Sequence, residues 1–125
     1  MKPICQRFGY NQTQWDAFKA EAREILVDVA RREDTISYGD LAAQMTTIAV
    51  EPHDMVLWEI IGDVGRDEEQ AERGILSVLV VHKHGDMEPG GGFYDLARFF
   101  GRKTSDRTKC FIEEMNNVHA VWSGK

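Results

Sequence analysis

The sequence predicts an α+β fold, a single helix-rich domain with a short sheet around one buried strand. Three observations lead there. Apolar residues recur at helical spacing in several separate stretches, one long apolar run, broken by a single serine, lies in the second half, and turn residues divide these segments. At 125 residues, with 42% hydrophobic and 29% charged, the chain supports one core and not two, so residues 1–125 are read as one domain.

The elements follow in order. Trp15, Phe18, Ala22, Ile25, Leu26 and Val29 recur at steps of three and four, which predicts a helix over residues 12–32 with Asp16, Lys19, Arg23 and Glu24 on its solvated face. Ser37 suits an N-cap, Asp40 stands where a capping box returns its acceptor, and Ile36 and Leu41 make a hydrophobic staple, so a short helix is expected over 38–45. The β-branched residues of 46–50 fit a connecting strand. Pro52 fits the first position of a further helix whose apolar face is Val56, Leu57, Ile60, Ile61 and Val64, with Gly65 as its stop. The acidic stretch 66–73 adds a turn or two facing water, supported by a Glu69–Arg73 pair.

Residues 75–81, interrupted only by Ser77, read as a strand covered on both faces and as the centre of the core. The chain then changes to His82, Lys83, His84, Gly85 and Asp86, followed by Pro89 and three glycines, which is a loop by every local signal. Phe93, Tyr94, Leu96, Ala97, Phe99 and Phe100 return to helical spacing, stopped by Gly101. Thr104 or Ser105 can cap a last helix with Phe111, Ile112, Met115, Val118 and Trp122 on one face.

A net charge of −6 argues against a surface that grips nucleic acid or anionic lipid everywhere, yet the charge is uneven. Asp63, Asp67, Glu68, Glu69 and Glu72 face only Arg66, whereas Arg98, Arg102, Lys103, Arg107 and Lys109 are opposed by Asp106 alone. The first residues lack the apolar stretch of a signal peptide, and no run is long enough to span a bilayer; a cytoplasmic protein with no membrane contact is expected. Cys5 and Cys110 belong to no C-x-x-C pair, so free thiols are expected.

The order of long helix, TISYGDLA turn into a short helix, second helix, strand and glycine-bearing loop resembles a winged helix-turn-helix. More narrowly, ISYGDLAA followed at a distance by LVVHKHGDMEPGGG is similar to the C-terminal domain of O6-alkylguanine-DNA alkyltransferases and their alkyltransferase-like relatives, where a YG..A helix precedes a strand and a glycine-bearing wing. The resemblance implies a winged-helix-like fold and a DNA partner. It does not imply alkyl transfer, because the reactive Cys of a Pro-Cys-His-Arg segment has no counterpart before Val80 and Val81. Asp54, Glu59 and Asp63, on the exposed side of the 52–64 helix with His53, also oppose a phosphate backbone.

Candidate sites come from residue chemistry. Gly90, Gly91 and Gly92 ahead of a helix can present backbone N–H groups and a positive dipole end to an anion such as phosphate, although a tight turn needs the same glycines. Arg98, Arg102, Lys103, Arg107 and Lys109 are the candidate contacts for nucleic acid or an acidic protein surface, with capping of a helix end as the alternative. His82, His84 and Asp86, at alternating positions, suit a divalent metal, with Glu88, His53 or His119 completing the set; a polar turn leaving the strand is the favoured reading of the same residues. No nucleophile motif accompanies the histidines, and Ser77 and Cys110 each lack a recognisable partner. The expectation is a non-enzymatic binding module without cofactor, nucleic acid being the first partner. The alternatives are a small metal-dependent hydrolase or nuclease and a protein-interaction domain that forms a homodimer through its acidic and basic tracts.

Overall fold

Asn11 opens the first helix by a reciprocal cap: its Oδ1 accepts the Gln14 N–H at 2.8 Å while Gln14 Oε1 accepts the Asn11 N–H at 2.9 Å. The computed structural model describes residues 8–83 and 88–123. Its elements are α1 (Gln12–Arg31), β1 (Ile36–Ser37), α2 (Tyr38–Gln44), α3 (Met55–Gln70), a 3-10 turn (Leu76–Leu79), β2 (Val80–Val81), α4 (Gly91–Phe99) and α5 (Arg107–Trp122). The fold is helix-rich α+β. Among the described residues its sheet is one parallel pair, Ile36 beside Val80 and Ser37 beside Val81. No helix there is long and apolar enough to cross a membrane.

The α1 stripe packs as the spacing requires, with Trp15, Phe18, Ala22, Leu26 and Val29 buried. Ser37 caps α2, its Oγ accepting the Asp40 N–H at 3.0 Å. Residues 46–50 form no strand. Thr46 and Thr47 instead turn their N–H and hydroxyl groups onto the Glu21 carboxylate of α1, which satisfies this connection without a ladder.

The central run departs most from expectation. In place of a strand over 75–81, Leu76–Leu79 wind as a 3-10 turn and only Val80 and Val81 are extended. Each side chain from Ile75 to Val81 is at most 4% exposed. Helices α1, α3 and α5 all pack against the turn, so every direction around the backbone is apolar and a period of two is not imposed. Entry is set by Gly74 at φ +92°, a left-handed conformation that suits glycine. The Ile75 N–H that follows is buried and donates to Glu114 Oε2 at 2.9 Å.

Helix α3 begins at Met55, not Pro52, because Asp54 Oδ2 accepts the Glu51 N–H at 2.8 Å and holds Pro52 and His53 in a turn. It continues through Gly65, where the missing side chain admits Ser77 and does not end the helix. Its last turns do not all face water. Glu68 is 2% exposed, clasped by Arg23 at 2.9 Å and Arg73 at 2.8 Å. The expected Glu69–Arg73 pair is absent; Glu72 at φ +64° folds Arg73 back onto Glu68, and Glu69 turns to Arg102. Helix α5 is capped by Asp106, not Thr104 or Ser105, its Oδ1 accepting the Lys109 N–H at 3.1 Å. On α5 the carboxyl of Glu114 is buried while Ile112 is 44% exposed, so the buried face runs through Cys110, Glu114 and Val118. Cys110 is a free thiol; Cys5 lies outside the described residues.

Arg102 joins α3 to α5, with Nη1 at 2.6 Å from Glu69 and Nε at 2.9 Å from Glu114. Arg102→Ala should leave the buried Glu114 carboxylate uncompensated and lower stability by about 3 kcal/mol. Urea unfolding measures this; a loss under 1 kcal/mol would show the network to be dispensable. The Glu21 carboxyl provides a pH signature. Burial pushes its pKa up, but hydrogen bonds from Thr46 and Thr47 outweigh that and bring it from 4.5 to about 2. A depressed folded pKa stabilises above the unfolded value, so this contribution is whole above pH 4.5 and disappears as pH falls toward 2. Glu21→Gln should flatten the decline of the unfolding midpoint between those pH values, and an unchanged slope would contradict it.

Candidate functional site

Tyr38 begins α2 immediately after the Ser37 cap, which aims its ring across the molecule toward the end of β2. There it stacks on His82, ring centres 5.6 Å apart and planes 28° apart. Its hydroxyl oxygen accepts the Gly90 N–H at 3.1 Å. Burial pushes the Tyr38 phenol above its ordinary pKa, opposed in part by the Gly90 N–H, so the ring is a neutral phenol at physiological pH. Gly90 must be glycine, since a Cβ there would stand 2.7 Å from that oxygen. The loop is closed below by the His82 N–H, which donates to Glu88 O at 3.0 Å. The Glu88 side chain accepts the Tyr94 hydroxyl at 2.7 Å and that of Thr108 at 3.2 Å. Desolvation and the adjacent Glu88 raise the Tyr94 phenol well above its usual range, which keeps it a donor.

These contacts form one wall of a cleft of about 1070 Å³ between α2, α3 and α4. Gly91 and Gly92 open α4 on it, Ser77 lies at its floor, and Lys83 and Arg66 contribute positive charge. Of the acids beside it, Asp63 accepts from Trp15 Nε1 at 2.9 Å and Arg66 at 2.8 Å, and Asp95 pairs with Arg98 at 3.4 Å. Glu59 stands on its α3 side. Two large aromatics line the rim: Trp58, 50% exposed with Nε1 donating to Pro52 O at 3.0 Å, and Phe99, 74% exposed. At the floor, α3 and the 3-10 turn touch so closely that a Cβ on Gly65 would lie 2.5 Å from Ser77 Oγ.

The structure separates residues that the sequence placed on one surface. The glycine loop lines the cleft; Arg98, Arg102, Lys103, Arg107 and Lys109 do not. Arg102 is held by Glu69 and Glu114, Arg107 lies 4.6 Å over the Tyr94 ring, and Arg98 meets Asp95. Lys103 and Lys109 line a separate depression of about 660 Å³ that also carries Asp106, Glu113 and Glu114. The acidic and basic tracts thus meet within one chain through Glu69 and Arg102, while Asp67 of the acidic tract pairs with Lys19 of α1 at 2.6 Å.

His82 joins the cleft by stacking on Tyr38, and His53 stands at the rim. His119 is remote, its Nε2 2.9 Å from Asp34 O. His84 and Asp86 lie outside the described residues, among which no three His, Cys, Asp or Glu side chains converge as metal ligands would. Of the cleft's side chains, the sequence marks Ser77 only as a hydroxyl without a partner and Tyr38 only within the YG segment; Phe99, whose helical spacing predicts packing, is instead 74% exposed, and Trp58 is not singled out at all. A signal existed for Trp58, which falls outside the Val56, Leu57, Ile60, Ile61 and Val64 stripe. No protein-family model, curated protein or solved structure matches the chain.

Gly65→Ala should force the 3-10 turn away from α3 and cost about 1–3 kcal/mol, as overpacking does in close-packed cores. Thermal unfolding measures it; an alanine variant as stable as the parent would refute the close approach.

Proposed function

We propose that the chain is a non-enzymatic nucleic-acid-binding module that receives an unpaired base in the cleft. The observation that carries this reading is the exposure of Trp58 and Phe99 on the rim of a cleft that also holds a helix N-terminus. Exposed aromatic faces stack on any base, and backbone N–H groups with Lys83 suit the neighbouring phosphates. The winged-helix-like arrangement and its likeness to alkyltransferase-like proteins belong to the same proposal, as does a cytoplasmic location. In support, α1, α2, α3 and β2 succeed one another in the expected order, and the YG segment opens α2 beside the cleft.

Binding without chemistry fits the residues at the floor. Ser77 Oγ has no hydrogen-bond partner among the described residues, and hence no base to activate it. The acid load of α3 is also lighter than its sequence implies, because Asp63 is buried and paired and Asp54 holds the preceding turn. The basic segment, largely occupied within the fold, is secondary to the cleft in this reading.

A labelled single-stranded oligonucleotide titrated at low salt should bind, with affinity falling as salt rises. Trp58→Ala and Phe99→Ala should each cost about 1–3 kcal/mol of binding, the usual worth of a base stack, with circular dichroism unchanged. Absence of binding at the lowest salt, or full affinity in the double variant, would remove the proposal.

A further inference from the structure

We propose that Asp54 is a positioning residue for the ligand of this cleft. Its carboxylate closes the 51–54 turn, and the Pro52 carbonyl of that turn fixes the Trp58 indole on the rim as a preset stacking platform. This rests on the cleft being the nucleic-acid site and adds a group that acts on binding without touching the bound base.

An exposed tryptophan ordinarily turns among several rotamers, and a ligand that stacks on it must stop that motion. Trp58 is 50% exposed, yet its Nε1 donates to Pro52 O, six residues back along the chain, at 3.0 Å. The carbonyl that holds the ring is itself held. The Glu51 N–H donates to Asp54 Oδ2 at 2.8 Å while the Asp54 N–H donates to Glu51 O at 3.1 Å, so the turn is tied in both directions. Indole has one polar atom, a donor, and the chain uses it here. Trp58 therefore meets a ligand through its ring alone, in an orientation set before the ligand arrives.

The Asp54 carboxylate is free for this task because it does not cap the helix that it precedes. Asp54 stands at the N-cap of α3, where an aspartate ordinarily accepts an N–H of the first turn, yet its side chain makes no such bond. The Leu57 and Trp58 N–H groups go to the Asp54 main-chain oxygen, at 3.1 and 3.3 Å, which any residue at 54 supplies. The carboxylate turns back to Glu51 instead, and Pro52 and His53, the two central residues of the turn, both line the cleft.

Charge and positioning predict opposite signs. Removing an acid from beside a site for a polyanion should strengthen binding, whereas freeing Trp58 should weaken it. Binding of a labelled oligothymidylate to the full chain would be measured by anisotropy at low salt. Asp54→Ala removes both the charge and the acceptor and should bind about three- to tenfold more weakly. Asp54→Asn keeps an acceptor for the Glu51 N–H without the charge and should bind at least as tightly as the parent. Trp58→Phe keeps a ring without the anchoring N–H. In that background Asp54→Ala should cause no further loss, since a residue that acts through another has nothing left to act on. Indole N–H spectra report the same event without ligand. The Trp58 signal, assigned by its disappearance in Trp58→Phe, should exchange with water faster in Asp54→Ala, while that of Trp15, bonded to Asp63, stays as it was. Should Asp54→Ala fold poorly, Asp54→Gly, also accepted at an N-cap, carries the same expectations. Parental or tighter binding by the alanine variant, or unchanged Trp58 exchange, overturns the positioning role. So does a loss as large in the Trp58→Phe background, which marks a general effect on the fold, or a loss in Asp54→Asn equal to that in Asp54→Ala. Each of these leaves the proposed function standing, whereas a parent that binds no oligonucleotide overturns both.

Discussion

A single buried backbone donor shapes much of this molecule. The Ile75 N–H enters the core just after the left-handed turn at Gly74, where no strand or helix partner awaits it, and it takes the Glu114 carboxylate. An acid 5% exposed requires a cation, and Arg102 is that cation. Arg102 in turn has donors to spare and engages Glu69 through two nitrogens, tying α3 to α5 across the 3-10 turn. An unpaired buried N–H is expensive enough to recruit this chain of charges, and each member is intelligible only from the one before it.

The same accounting explains why the charge map of the sequence is a poor guide to the surface. Helix α3 carries its acids inward or sideways: Asp63 to the Trp15 indole, Glu68 to Arg23 and Arg73, Asp67 to Lys19. The Glu68 carboxyl, raised by burial, ends below its ordinary pKa because two arginines more than compensate. Most acids of that tract find their cations on neighbouring elements of the same copy, and one of them, Glu69, finds it in the basic tract at Arg102. With α3 packed against α1, the 3-10 turn and α4, its remaining side walls the cleft with Trp58, Gly62 and Arg66.

What could be read from the sequence was what depends on local rules. The α1 stripe, the Ser37 cap and the turn at Gly101, with φ +86°, each follow from a few neighbouring residues. The conformation of 75–81 did not, because an apolar run buried on every side carries no period to distinguish strand from 3-10 turn. Gly65 misled for a related reason: a helix stop and a close contact demand the same residue, and only the position of Ser77, twelve residues on, decides between them. The candidate site was half legible. Gly90, Gly91 and Gly92 stood out as a loop, yet their partners Tyr38, Trp58 and Ser77 come from distant elements and share no motif with them.

Glycines show how structure and site can be told apart here. Gly74 has a backbone angle that suits glycine, while Gly65 and Gly90 have no room for a Cβ; all three are explained by the fold alone. Gly91 and Gly92 have ordinary angles and open space, in a helical turn that glycine weakens. The same subtraction applies to side chains. Trp15 and Tyr94 are buried where their polar atoms find partners, whereas Trp58 and Phe99 keep broad apolar faces in water and Ser77 keeps a hydroxyl out of it. Folding alone favours none of these last choices. All five residues that remain line one cleft, and their convergence there, stronger than any one of them, is the reason to look for a ligand in it.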